Sequence, residues 1–171
     1  MLSKNMESAL NEQVKWEFWS AYLYLSMSAY FEDLGLMGFA NWMKVQDQEE
    51  RFHATKFYEF TIQRGGRIKL QTLEAPPSDW KSPLEVFKEV LKHEQGVTAR
   101  INALMDLAIK DKDHATVSFL NWFVDEQVEE EANATDLINK LKLVEGNPSA
   151  VYMLDKELAA RVFTPPPASA G

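Results

Sequence analysis

Apolar residues recur at three- and four-residue spacings through four long stretches of this chain, and each stripe is interrupted by one acid near its middle. Steps of three, four and seven from Glu17 meet Leu10, Val14, Ala21, Tyr24 and Phe31, and from Glu50 they meet Met43, Ala54 and Phe57. The same steps from Glu94 meet Phe87, Val90, Val97 and Ile101, and from Glu130 they meet Phe123, Ala134 and Leu137. This periodicity predicts four amphipathic helices that each turn an apolar face, with a glutamate on it, toward a common core. Breakers bound them: Gly35 ends the first after about thirty residues, Gly65-Gly66 ends the second, Lys110 to Asp113 separates the third from the fourth, and Gly146 closes the fourth. Ser82-Pro83-Leu84-Glu85 starts the third with an N-cap serine, a first-turn proline and a capping-box glutamate, and Asn147-Pro148 opens a short fifth helix.

Connection lengths choose the topology. The turns at Gly35 and Asp111 are short and join antiparallel neighbours, whereas Gly65 to Lys81 is 17 residues. Such a segment can stretch at most ~55 Å at ~3.3 Å per residue, against ~42 Å for a helix of about 28 residues at ~1.5 Å rise. It is long enough to return along a whole helix, so the second and third helices can run parallel. The expected fold is all-α: a four-helix bundle with one long crossover and a short fifth C-terminal helix. Residues 1–163 read as one domain, and the proline-rich stretch 164–171, poor in apolar residues, reads as a flexible tail.

The interrupting acids form an internal repeat. Glu17 lies 33 residues before Glu50, and Glu94 lies 33 before Gln127. Glu50 is followed three positions on by His53, and Gln127 three positions on by Glu130, the spacing that aims two side chains of one helix at one point. Ionised carboxylates in apolar stripes cost several kcal/mol each unless compensated. None of the stripes offers a lysine or arginine within about a turn of its acid, so the compensating charge is expected from outside. Four glutamates and two divalent ions balance, and hard oxygens with one imidazole suit iron or manganese, with zinc able to compete.

Composition narrows the client further. The chain of 171 residues, 46% hydrophobic, is one ordinary domain, and 18 basic against 26 acidic residues give a net charge of −8. That balance argues against nucleic acid and favours cations. The absence of cysteine excludes disulfides, thiolate zinc sites and iron–sulfur clusters. The longest uncharged run, from Phe18 to Phe31, is too short for a membrane span and contains three serines, and the amino terminus lacks the apolar core of a signal peptide. A soluble cytoplasmic protein is expected. Read singly, His93 and His114 are surface or cap residues, Glu129-Glu130-Glu131 is a solvated helix face and Trp122 is core. Tyr24 is either core filler or a hydrogen-bond partner of a ligand.

Glu17, Glu50-x-x-His53, Glu94 and Gln127-x-x-Glu130, set in NEQxxxExxSAYLYLSM, QEExxH, KHE and FLxWFVDEQVEEE, resemble the non-haem ferritins of bacteria and archaea over residues 1 to 160. The resemblance implies a five-helix subunit in a hollow cage of twenty-four that oxidises iron(II) with dioxygen at a di-iron centre and stores iron(III) as mineral. It implies that Glu17, Glu50 and His53 hold one iron and that Glu50 bridges to a second held by Glu94 and Glu130, with Gln127 alongside and Tyr24 beside the pair.

Departures separate the relatives. Gln127 and Glu130 stand where bacterioferritins repeat Glu-x-x-His, and Arg51 stands where they carry a haem-binding methionine, so no haem is expected. The missing cysteines exclude a rubrerythrin-type iron site. A DNA-protecting miniferritin is disfavoured because its ligands come from two subunits and because this chain lacks a basic tail. Trp16 and Trp19 flank Glu17 where smaller or polar neighbours are expected. Helix geometry sets Glu49, Glu126 and Glu129 on the flank of the centre, and they match the acidic set with which prokaryotic ferritins hold a third iron. The competing reading is a di-iron oxygenase or oxidase acting on a small organic substrate beside the same metals.

Overall fold

The computed structural model describes residues 2–165. Five helices form, with no strand among the described residues: α1 (Lys4–Asp33), α2 (Met37–Gln63), α3 (Pro83–Lys110), α4 (His114–Leu143) and α5 (Pro148–Leu158). The expected starts at Ser82 and Asn147 are present, and Ser3 and Asp113 cap α1 and α4 in the same way. Ser3, Ser82, Asp113 and Asn147 accept from the backbone N–H of Met6, Glu85, Thr116 and Ala150, each satisfying a donor that a helix start leaves unpaired. Gly35 and Gly146 close α1 and α4 at φ +72° and +74°, a conformation glycine adopts without a Cβ clash. Between α3 and α4 the left-handed residue is Lys112, at φ 55°. Of the proline-rich stretch 164–171, residues 166–171 lie outside the described residues.

The segment 64–82 is the crossover, and side chains of α1 pin it along that helix. The Asn11 amide donates to the Arg67 carbonyl (3.0 Å) and its oxygen accepts from the Lys69 N–H (2.6 Å). Farther along, the Trp19 indole donates to the Glu74 carbonyl (3.0 Å) and the Ser26 hydroxyl to the Pro77 carbonyl (2.6 Å). Contacts thus advance along both segments together, and the crossover retraces α1. The two hairpins, α1 with α2 and α3 with α4, are thereby joined into the expected bundle.

α2 has no side-chain cap of its own at Leu36. The cap comes from α5: buried Asp155 accepts from the N–H of Gly38 (2.7 Å) and of Phe39 (3.1 Å), placing a carboxylate at the positive end of the α2 dipole. A Cβ at Gly38 would lie 1.6 Å from the Asp155 carbonyl oxygen. Only glycine admits α5 this closely.

The core consists of two apolar clusters. One gathers Leu23, Met27, Phe31, Phe39, Met43, Phe87 and Leu137 toward the α5 end, and the other gathers Met6, Leu10, Val14, Phe57, Ile101, Leu120 and Phe123 toward the opposite end. The interrupting acids of the four stripes lie between them. No helix of the described residues is long and apolar enough to cross a membrane.

Candidate metal centre

Glu17 on α1 and Glu50 and His53 on α2 are each at most 4% exposed. One ligand atom from each lies within 4.8 Å of the others. The His53 Nδ1 is 3.5 Å from the Glu50 carboxylate. Burial raises both carboxyls, and their contact with each other favours the ionised form of Glu17 and the protonated form of Glu50. One further oxygen on each, the Oε2, is buried without any hydrogen-bond partner. Buried acceptors are almost always satisfied, and two orphaned carboxylate oxygens beside a neutral imidazole are a donor set that fits a divalent metal ion.

Across the bundle, Glu94 on α3 and Gln127 and Glu130 on α4 are also buried. The Gln127 amide donates to the Glu94 carboxylate (3.1 Å), and the Tyr24 hydroxyl donates to the other Glu94 oxygen. Of the two readings open for Tyr24, the structure thus has the hydrogen-bond partner. Burial pushes all four glutamates up: Glu94 to about 7 and Glu130 to about 8, where the charges of Glu94 and Glu49 add to it, while Glu17 rises and Glu50 rises well above the carboxylate range. Burial pulls His53 down to about 3, helped by the Lys56 ammonium. The site therefore has protons on carboxylates and none on the imidazole, which is the state a cation would exchange for its own charge.

Two supporting amides escaped the reading of the sequence. Gln13 donates to Glu17 (2.7 Å) and Gln46 to Glu130 (2.8 Å). A signal existed, because Gln13 and Gln46 each precede a repeated glutamate by four and are themselves 33 apart. Its bearing was hidden, because Gln46 serves a residue on another helix.

The stripes offer no lysine or arginine within about a turn of these acids, as expected, but part of the compensating charge comes from the chain itself and not only from outside. Arg100, six residues beyond Glu94, lies 4.5 Å over the Trp16 ring, and its charge favours the ionised forms of Glu17 and Glu94. Its Nε is buried without a partner. Trp16 and Trp19 accordingly have tasks away from the glutamates: one stacks on Arg100, the other anchors the crossover. His93 is also not a plain surface or cap residue. Its Nε2 is 2.8 Å from the Ser20 hydroxyl, its ring packs on Trp19 and Tyr24, and burial lowers it to about 4. Trp122, expected in the core, is half-buried with its ring 5.4 Å from that of His53.

The three flanking acids are placed on the α2–α4 side of the centre. Glu126 lies 3.9 Å from His53 Nε2, burial raises Glu49 and Glu126 with the charge of exposed Glu129 adding to both, and Glu49 adds to Glu126 as well. They do not close to the spacing of the Glu17, Glu50 and His53 group. Glu49 is instead engaged by Arg161, at 2.7 Å.

Comparison with known proteins identifies relatives of nearly the whole chain. A ferritin-like domain model matches residues 7–144. The chain is 45% identical over 163 residues to a bacterial non-heme ferritin of Staphylococcus haemolyticus, covering 95% of this chain and 98% of that one. It is 45% identical over 161 residues to one of Bacteroides fragilis, covering 94% and 100%. Among solved structures, the open pore ferritin of Archaeoglobus fulgidus superposes with a TM-score of 0.94 at 52% identity, covering 95% of this chain and 100% of that one. A closed form engineered from the same ferritin gives 0.95, covering 96% and 100%. A bundle whose two apolar halves enclose buried carboxylates and one imidazole, with these likenesses along nearly its whole length, belongs to the ferritin family.

Proposed function

We propose that this protein is a ferroxidase and iron store of the cytoplasm: it binds iron(II) in pairs, passes one electron from each iron to dioxygen, and keeps the iron(III) as mineral inside a cage of twenty-four copies. The observation that carries this reading is the pair of orphaned, buried oxygens on Glu17 and Glu50 beside neutral His53. In this reading Glu17, Glu50 and His53 receive the first iron(II). Glu50 also faces the second, which Glu94 and Glu130 receive with Gln127 alongside. Each arriving ion displaces protons from carboxylates that hold them near neutrality, and the negative charge left behind favours iron(III) over iron(II). Tyr24 and Gln127 orient Glu94, Gln46 orients Glu130 and Gln13 orients Glu17. Residues 1–163 are the working domain.

Glu49, Glu126 and Glu129, with Glu130 shared, form in this proposal a third and weaker iron site, through which iron moves between the oxidation centre and the cavity and which supplies a further electron during turnover. An Ala variant at Glu49, Glu126 and Glu129 together should retain two zinc(II) per subunit, lose a third, and change the iron-to-oxygen ratio.

An oxygenase would require an apolar pocket opening on the metals. The cavity of about 340 Å³ at Gln127 has a mixed lining, Thr98, Asn102 and Glu131 together with Ile101, Val124 and Val128, so the reaction itself has to decide. Aerobic addition of iron(II) tests the choice. Many irons per subunit held as soluble mineral, by a particle of cage mass on size exclusion, is the expected result. Two retained irons with organic turnover would establish the oxygenase instead, and no accelerated oxidation would remove both.

A further inference from the structure

The chain that follows α5 folds back along α2 and delivers a cation to the acidic flank. The Asn41 amide donates to the carbonyls of Leu158 (3.2 Å), Ala159 (3.4 Å) and Arg161 (2.9 Å). The guanidinium of Arg161 then lies 4.5 Å over the Trp42 ring, donates to the Trp42 carbonyl (3.4 Å), and forms its ion pair with Glu49 (2.7 Å). Both members of that pair are only about one-fifth exposed, with side chains at 22% and 21%. Its reach extends inward, since the same charge favours ionised Glu130.

We propose that Arg161 is a tethered cation that occupies the third iron site when metal is absent, so that a metal ion enters there only by displacing the guanidinium and releasing the segment that carries it. The inference rests on the third-site reading above. Glu49, Glu126 and Glu129 carry three negative charges in one neighbourhood, and Arg161 offsets one of them. A divalent ion offsets two and adds coordinate bonds to several oxygens, so it prevails when present. Without it, the always-charged guanidinium is the better occupant. Competition of this kind makes two equilibria one: filling of the site and docking of residues 159–163 oppose each other by the same factor in both directions. Because Asn41 ties that segment to the end of α5, the state of the third site is transmitted to the C-terminal helix.

The test is equilibrium dialysis of the metal-free protein against zinc(II), with hydrogen–deuterium exchange of the peptide spanning 156–165. In the Arg161→Gln variant the third zinc should bind about tenfold more tightly, within the range usual for coupled sites, while the first two are unchanged. Arg161→Lys, which keeps the charge without the fork, should restore most of the wild-type weakness. In wild type, the third equivalent of zinc should accelerate exchange at 159–163. A purely structural arginine predicts the reverse for affinity, since loosening the segment would leave the third zinc equal or weaker. If wild type binds three zinc ions and the Glu49, Glu126, Glu129 variant binds two, yet Arg161→Gln leaves the third affinity and the exchange unaltered, the Arg161 inference fails alone. If wild type binds only two, the third-site reading fails and takes this inference with it.

Discussion

Raising the pH should weaken the metal-free protein in the range where most proteins are indifferent. Glu94 and Glu130 titrate at about 7 and about 8 in the fold, against a carboxylate value near 4.5 when unfolded. Between those values the folded state holds protons that the unfolded chain has lost. Folding then takes up protons, so stability is greatest at low pH in this window and is lost as pH rises through the folded values. From about pH 7 to about pH 9 the two carboxylates together give up roughly 1.5 kcal/mol, after a small opposing gain from His53 and His93, which unfold into protonatable imidazoles only near the bottom of the range. Glu17 and Glu50, also raised by burial, act in the same direction. For a chain of this size that is a fall of about 5 °C in the unfolding midpoint.

Zinc(II) removes the reason for the loss, because a bound cation replaces the protons and its affinity rises as the carboxylates ionise. Scanning calorimetry of chelator-treated and zinc-loaded protein across the range should therefore give diverging midpoints. The double variant Glu94→Gln, Glu130→Gln should flatten the metal-free curve. A metal-free midpoint that holds steady or climbs from pH 7 to 9 would refute the assignment of buried, proton-holding carboxylates.

Removing a proposed first-iron ligand, by Glu17→Ala or His53→Ala, should leave helicity intact and slow iron(II) oxidation by tenfold or more, about 1.4 kcal/mol of lost stabilisation; unchanged fast oxidation in stopped flow would overturn the ligand assignment. Gly38→Ala should cost about 2 kcal/mol in a denaturant titration by driving Asp155 off the start of α2, and a near-neutral result would mean that α5 docks otherwise. Gln46→Leu deprives buried Glu130 of its amide donor, so the second zinc should bind about fivefold more weakly, roughly 1 kcal/mol, with the first zinc unaffected; equal loss at both would deny Gln46 this specific role.

Much of this protein can be read without its fold because helical periodicity is local. Glu17, Glu50, Glu94 and Glu130 stand out since each breaks a stripe defined by its own near neighbours, and the caps Ser82 and Asn147 act on donors within three residues. The long crossover was legible from length alone. What the chain's order does not contain is which side chain from one helix reaches which on another. Gln46 lies four before Glu50 yet serves Glu130, 84 positions away, and Arg161 meets Glu49 across 112. Those partnerships depend on the axial register of packed helices and on rotamers chosen in the crowded interior, neither of which leaves a spacing in the sequence. His93 was misread for the same cause: alone it looks like a polar surface residue, and only the approach of α1 to α3 supplies the Ser20 hydroxyl and the Trp19 and Tyr24 rings that partly cover it. The sequence by itself thus determined the helices, their order and the charged positions that need compensation, since these follow from propensity and period. The tertiary structure alone decided how that charge is shared among protons, amides, Arg100 and Arg161, because electrostatic compensation is set by distance in space.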